Sequence, residues 1–110
     1  MKSILLIATI ALFSLSFTKH AVKEVVIKTS SECNMCKERI EEKLNYTKGV
    51  TYVSLEVSTK LLTVKYKEDK ITLEKIREII SNLGYDADDV KANIENQQHL
   101  PKCCRPNGMK

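Results

Sequence analysis

Tyr52-Val53-Ser54-Leu55-Glu56-Val57-Ser58-Thr59-Lys60-Leu61-Leu62-Thr63-Val64-Lys65-Tyr66 holds two alternating runs around one short polar break. Val53, Leu55 and Val57 alternate with Tyr52, Ser54 and Glu56, and Leu62, Val64 and Tyr66 alternate with Leu61, Thr63 and Lys65. A period of two with β-branched and aromatic residues marks half-buried strands. Ser58-Thr59-Lys60 is a tight connection, so the two runs form one hairpin.

A helix is expected on each side of this hairpin. Before it, residues Lys37 to Tyr46 follow Cys36, with Ile40 and Leu44 at four-residue spacing and charge elsewhere, the pattern of an amphipathic helix that stops at Lys48-Gly49. After it, Thr72 is a suitable N-cap, and Glu74 favours the first turn. Leu73, Ile76, Ile79, Ile80 and Leu83 then share one face, and Gly84 is a stop signal. Further out, Lys23 to Thr29 reads as a strand, with Val25 and Ile27 on one face and Val22 and Val26 on the other. Tyr85 to Ala92 is expected as a short last strand, although Asp86, Asp88 and Asp89 disfavour it. The order β-α-β-β-α-β over residues 22–92 is that of the α+β ferredoxin-like sandwich, a four-stranded antiparallel sheet with two helices on one face.

The two ends differ from this unit. Met1-Lys2-Ser3 gives a positive start, and Ile4 to Phe17 is an uncharged apolar run of 14 residues, short of the roughly 20 that a spanning helix needs. Residues 1–18 are therefore expected as a secretory signal peptide cleaved after Ser16 or Thr18, which places the protein in the periplasm or outside the cell. An uncleaved segment would be its one link to a membrane. Residues 93–110 show no period and hold both prolines, and they are expected as an irregular Cys/His-containing tail.

Composition narrows the function. Setting aside Lys2 and Lys19, 16 basic residues face 14 acidic ones, and aromatics are few. Nucleic-acid binding has no support in that balance. Nothing resembles a Ser/His/Asp constellation or a phosphate-binding loop, and no enzymatic activity is expected; the chain has three glycines.

Cys33 and Cys36, in Glu32-Cys33-Asn34-Met35-Cys36-Lys37-Glu38-Arg39-Ile40, lie where the first strand gives way to the first helix. Two sulfurs at this spacing can share one soft metal ion or form one disulfide. The free N–H groups and positive end of the helix favour thiolate, with Lys37 and Arg39 adding positive charge. Thiolate is the metal ligand and the nucleophile. Soft sulfur suits Cu(I) and Hg(II), and less well Zn(II) or Cd(II). Two ligands leave an ion open to a partner's thiolate and so to transfer by ligand exchange. The residues alone leave three readings open: a metal carrier, a thiol-disulfide redox protein using the same pair, and an inert pair.

In this order the strand, Cys33-x-x-Cys36, Ile40 and Leu44, Gly49-Val50, the hairpin, Ile76 and Ile80, and Leu83-Gly84-Tyr85 resemble the heavy-metal-associated domain. That module occurs in copper chaperones, in the amino-terminal repeats of copper-pumping ATPases and in the periplasmic mercury-binding protein. The resemblance implies binding of Cu(I) or Hg(II) by Cys33 and Cys36. It implies a metal-transporting ATPase or another metal-binding domain as the partner, and Tyr85 packed over the metal loop. The family usually carries Gly-Met ahead of the first cysteine as a buried support; this chain has Ser30 and Ser31, then Glu32.

The tail stretch His99-Leu100-Pro101-Lys102-Cys103-Cys104-Arg105-Pro106 stays open between three roles. It would add Cys103 or Cys104 to the first site, build a second site from His99, Cys103 and Cys104, or carry oxidisable thiols on a disordered end.

Overall fold

The computed structural model describes residues 21–106. The expected signal peptide, residues 1–18, lies outside the described residues. The elements are β1 (Val22–Lys28), α1 (Asn34–Asn45), β2 (Val50–Glu56), β3 (Leu61–Lys67), α2 (Leu73–Leu83), α3 (Ile94–Gln98) and a 3-10 turn (Lys102–Cys104).

The hairpin forms as its alternation requires. β2 and β3 pair antiparallel with Leu55 opposite Leu62 and Val53 opposite Val64, and β1 joins the other side of β3 with Ile27 opposite Leu62. The sheet order is β1-β3-β2. Ile27, Leu55, Leu62, Val64 and Tyr66 turn inward to the core, while Val22 and Val26 lie on the exposed face. A bulge between Val50 and Tyr52 shifts the β2–β3 register. It follows Gly49, whose φ of 97° puts it in the left-handed region; a Cβ there would sit 2.9 Å from side-chain atoms of Lys70 and Ile71.

The two helices cover the inward face. α1 begins earlier than its charge pattern suggests, because Cys33 takes an extended conformation as the N-cap residue. It buries Cys36, Ile40 and Leu44. α2 is capped as expected: Thr72 Oγ1 accepts from the Lys75 N–H at 3.1 Å, and Gly84 ends the helix at φ 105°. Ile76 and Ile80 are fully buried, with Leu73, Ile79 and Leu83 packed against them at the margin.

α1 also closes an open edge of the sheet. β2 is an edge strand, and unpaired backbone groups there invite pairing with other chains. Glu41 Oε2 accepts from the Leu55 N–H at 2.8 Å, and Lys37 Nζ donates to the Leu55 carbonyl at 2.7 Å while pairing with Glu41 at 2.7 Å.

The expected fourth strand is not formed. The sheet has three strands, and residues 85–92 contribute only single bridges, Thr29 to Ala87 and Ala87 to Val90. The aspartates are the reason. Asp88 adopts φ 54°, which bends the chain out of an extended path. Its N–H donates to the Lys28 carbonyl at 2.8 Å, and its Oδ1 accepts from the Lys28 N–H at 2.9 Å. Asp88 thus satisfies the free edge of β1 in place of a strand. Asp86 Oδ1 accepts from the Ala92 N–H at 2.8 Å, which tightens the same turn.

Residues 93–106 of the tail are structured rather than irregular. Asn93 caps α3 through Oδ1, which accepts from the Asn96 N–H. The Asn93 N–H donates to the Ser81 carbonyl at 2.9 Å, and Asn96 Nδ2 donates to the Asn82 carbonyl at 2.7 Å. Leu100 and Cys104 are buried in the same core as the helices. Gly84 lets this happen: a Cβ at its position would lie 3.0 Å from Gln97 Cα and 3.1 Å from Gln97 N.

Candidate metal centre

Cys33 sits at the mouth of α1, where the first N–H groups of the helix lack intrahelical partners. Its sulfur is 3.5 Å from that of Cys36, one turn into the helix. Cys36 is fully buried, and its sulfur accepts from the Glu32 N–H at 3.4 Å. The loop that carries the pair is fastened by hydroxyls. Thr29 Oγ1 donates to the Lys60 carbonyl at 2.9 Å and lies 3.0 Å from the Ser31 hydroxyl, which is fully buried. Ser30 Oγ accepts from the Asp86 N–H at 2.9 Å, tying the loop to the chain after α2. This network occupies Ser30 and Ser31, the positions at which the resemblance noted from the sequence implies Gly-Met.

The tail brings two more sulfurs to the same place. Cys103 Sγ is 3.0 Å from Cys33 Sγ, Cys104 Sγ is 3.5 Å from it, and the two tail sulfurs are 3.9 Å apart. Cys33, Cys103 and Cys104 therefore form a group whose sulfurs all lie within 4.8 Å of one another. Met35 is exposed, with Sδ 3.5 Å from Cys103 Sγ. His99 is not drawn in; it ends α3 and points to solvent.

The electrostatics divide the thiols. Burial alone would raise the pKa of Cys33. Hydrogen bonds outweigh it, from the Cys103 thiol, the Cys36 backbone N–H and the Cys36 and Cys104 thiols, and bring Cys33 down to about 7. Cys103 is pushed up first by its hydrogen bond with Cys33 and then by burial. Burial pushes Cys104 up, and the Cys36 sulfur adds to this. Cys33 is thus the thiol most disposed to ionise near neutral pH, beside Cys103 and Cys104, which are shifted toward their neutral forms. Lys37 does little for it, being committed to Glu41 and the Leu55 carbonyl, while Arg39 is exposed.

Tyr85 completes the surroundings. Its ring is fully buried. Its hydroxyl makes no hydrogen bond, and its pKa is raised by burial first and then by the nearby Cys36 and Cys104 sulfurs. The phenol is a donor without an acceptor beside the Cys36 and Cys104 sulfurs. Thiolates in their place would be better acceptors.

The first cysteine at a helix start, the second a turn later and a βαββα frame are the pattern of one family, and residues 31–86 match the heavy-metal-associated domain. The chain belongs to that family. A copper-exporting P-type ATPase of Staphylococcus epidermidis is 33% identical over 83 residues, covering 74% of this chain and 10% of the ATPase. This chain therefore spans about a tenth of that relative's length. The copper chaperone CopZ of Staphylococcus haemolyticus is 26% identical over 65 residues, covering 59% of this chain and 96% of the chaperone. The structure of oxidized MerP from Ralstonia metallidurans shares the fold, with a TM-score of 0.59 at 19% identity over 62% of this chain and 96% of that one.

The heavy-metal-associated segment ends at Asp86, so α3 and the 3-10 turn lie beyond it. Sequence reasoning raised Cys103 and Cys104 as added ligands and expected Tyr85 over the loop. It did not find the Thr29–Ser31 hydroxyl network. The run Thr29-Ser30-Ser31 is the signal for it, since three consecutive hydroxyls before a ligand loop favour local side chain–backbone bonding.

Proposed function

We propose that this heavy-metal-associated domain binds one soft metal ion, Cu(I) or Hg(II), through Cys33 and Cys36 and passes it to another metal-binding domain by thiolate exchange. The observation that carries the reading is the 3.5 Å approach of Cys33 and Cys36 at the start of α1. Cys33 is already disposed to ionise there, in a member of a metal-binding family. Soft d10 ions prefer thiolate sulfur, and an ion held by few ligands can accept a sulfur from a partner before it leaves the first protein. The role is one of binding and delivery, with no reaction catalysed. The similarity to copper-exporting ATPases supports a metal-transporting ATPase, or its detached metal-binding domain, as the recipient. The amino-terminal segment supports export to the periplasm or beyond.

The test is transfer. Reduced protein loaded with Cu(I) is mixed with the isolated metal-binding domain of a copper ATPase, and metal is assayed on each after separation. Redistribution within mixing time, lost in Cys33→Ser/Cys36→Ser, supports delivery. Retention of Cu(I) by this protein in the presence of excess acceptor contradicts it.

A further inference from the structure

The tail does more than cover the domain. A tetrahedron of sulfurs each about 2.3 Å from one ion has edges of about 3.8 Å, whereas two sulfurs in line across an ion stand about 4.6 Å apart. The separations are 3.5 Å for Cys33–Cys36, 3.5 Å for Cys33–Cys104 and 3.9 Å for Cys103–Cys104, with Cys33–Cys103 closer at 3.0 Å. Cys33, Cys103 and Cys104 lie within reach of one tetrahedral ion, while Cys36, close to Cys33, lies outside that three-sulfur group and would have to move toward the tail sulfurs on binding. We propose that Cys33, Cys36, Cys103 and Cys104 form a four-sulfur site for one divalent d10 ion of the Zn(II) and Cd(II) class, closed by the tail.

Two independent observations support this beyond the cluster itself. The tail is anchored to the core by Leu100, by the Asn93 and Asn96 bonds to the end of α2, and by the close approach at Gly84. The two thiols are therefore delivered by structure and not by a free end. The Tyr85 hydroxyl is fully buried without a hydrogen bond, beside Cys36 and Cys104. A metal-bound thiolate there would give it an acceptor. The Glu32 N–H already points at Cys36 Sγ in the same way.

Binding leaves four thiolates on a divalent ion and releases the thiol protons to solvent, so affinity rises with pH. The closed site also changes delivery. Cys36 and Cys104 are buried, so an incoming thiolate must displace the tail before it reaches the ion. The tail acts as a built-in competitor for the partner. This inference rests on the reading that Cys33 and Cys36 are ligands.

The experiment compares reduced wild type, Cys103→Ser/Cys104→Ser, a chain truncated before Gln97, and Cys33→Ser/Cys36→Ser. Each is given Cd(II). Sulfur neighbours are counted by X-ray absorption, and affinity is measured against a competing chelator. The truncation removes both tail thiols without placing a serine in the core at Cys104. Four sulfurs are expected in wild type and two in both tail variants, with affinity lower by about 100-fold or more, the scale of an added intramolecular ligand pair. Two sulfurs in wild type, a Cys33–Cys103 disulfide that persists under reductant, or equal affinity in the tail variants overturns the four-sulfur site and leaves the Cys33/Cys36 reading standing. Unchanged Cd(II) affinity in Cys33→Ser/Cys36→Ser overturns that reading itself.

Discussion

The Cys103 sulfur lies 3.0 Å from the Cys33 sulfur, across 70 residues of sequence, and the hydrogen bond between them lowers the Cys33 pKa. The reactivity of the loop cysteine is therefore partly set by the tail. Alkylation of reduced wild type should show a Cys33 rate profile with its midpoint at about 7. In Cys103→Ser the midpoint should move with the strength of the replaced hydrogen-bond partner, and in Cys103→Ala it should rise toward the ordinary thiol value of 9.0. Mass-resolved alkylation at a series of pH values checks this. An unmoved midpoint in Cys103→Ala removes the tail from the account of Cys33 acidity.

Stability of the reduced, metal-free protein should depend on pH with a defined sign. Cys33 is depressed in the folded state, from 9.0 to about 7. Its contribution is full above 9.0 and is lost as pH falls through about 7, so stability rises between those values. Cys103 and Cys104 are shifted up, which favours their neutral forms in the folded state. Their contribution is lost as pH climbs above 9.0. Denaturant midpoints from pH 6 to 10, roughly the span of these titrations, should rise and then fall. A monotonic decline across the lower half of that range contradicts the Cys33 assignment.

Gly84→Ala should loosen the tail. The residue has φ 105°, and a Cβ would meet the Gln97 backbone at 3.0 Å. The left-handed conformation alone costs a non-glycine residue about 1–2 kcal/mol, and the contact with Gln97 adds to it. Denaturation should show the loss, and limited proteolysis should cut within residues 93–106 faster than in wild type. Faster cutting elsewhere with an intact tail would place the strain in α2 instead.

Thr29→Val tests the loop support. It removes the hydroxyl that donates to the Lys60 carbonyl and contacts Ser31. A buried bond lost with a polar partner left unsatisfied costs about 1–3 kcal/mol. Stability should fall by that amount, and Cu(I) should dissociate faster as Cys33 loses its fixed position. Unchanged dissociation would mean the loop is held by the helix alone.

The sequence was informative where a period repeats and silent where single side chains decide. Ile27, Leu62, Val64, Ile76 and Ile80 are buried as their spacing requires. Thr72 and Gly84 end α2 by the chemistry expected of them. The last strand failed because Asp88 satisfies the β1 edge with its own backbone and carboxylate, an arrangement with no periodic trace. The Cys33 and Cys36 placement followed from the motif. The approach of Cys103 did not, since it depends on Leu100 filling a core site and on Gly84 admitting Gln97. Both are long-range packing relationships.

The most direct measurement is a competition titration of the reduced protein with Cu(I) or Hg(II) against a chelator of known strength, beside Cys33→Ser/Cys36→Ser, with circular dichroism on both. The account predicts tight binding of one ion per chain in wild type and its loss in the double variant, with secondary structure retained. Equally tight binding by the folded double variant would contradict it.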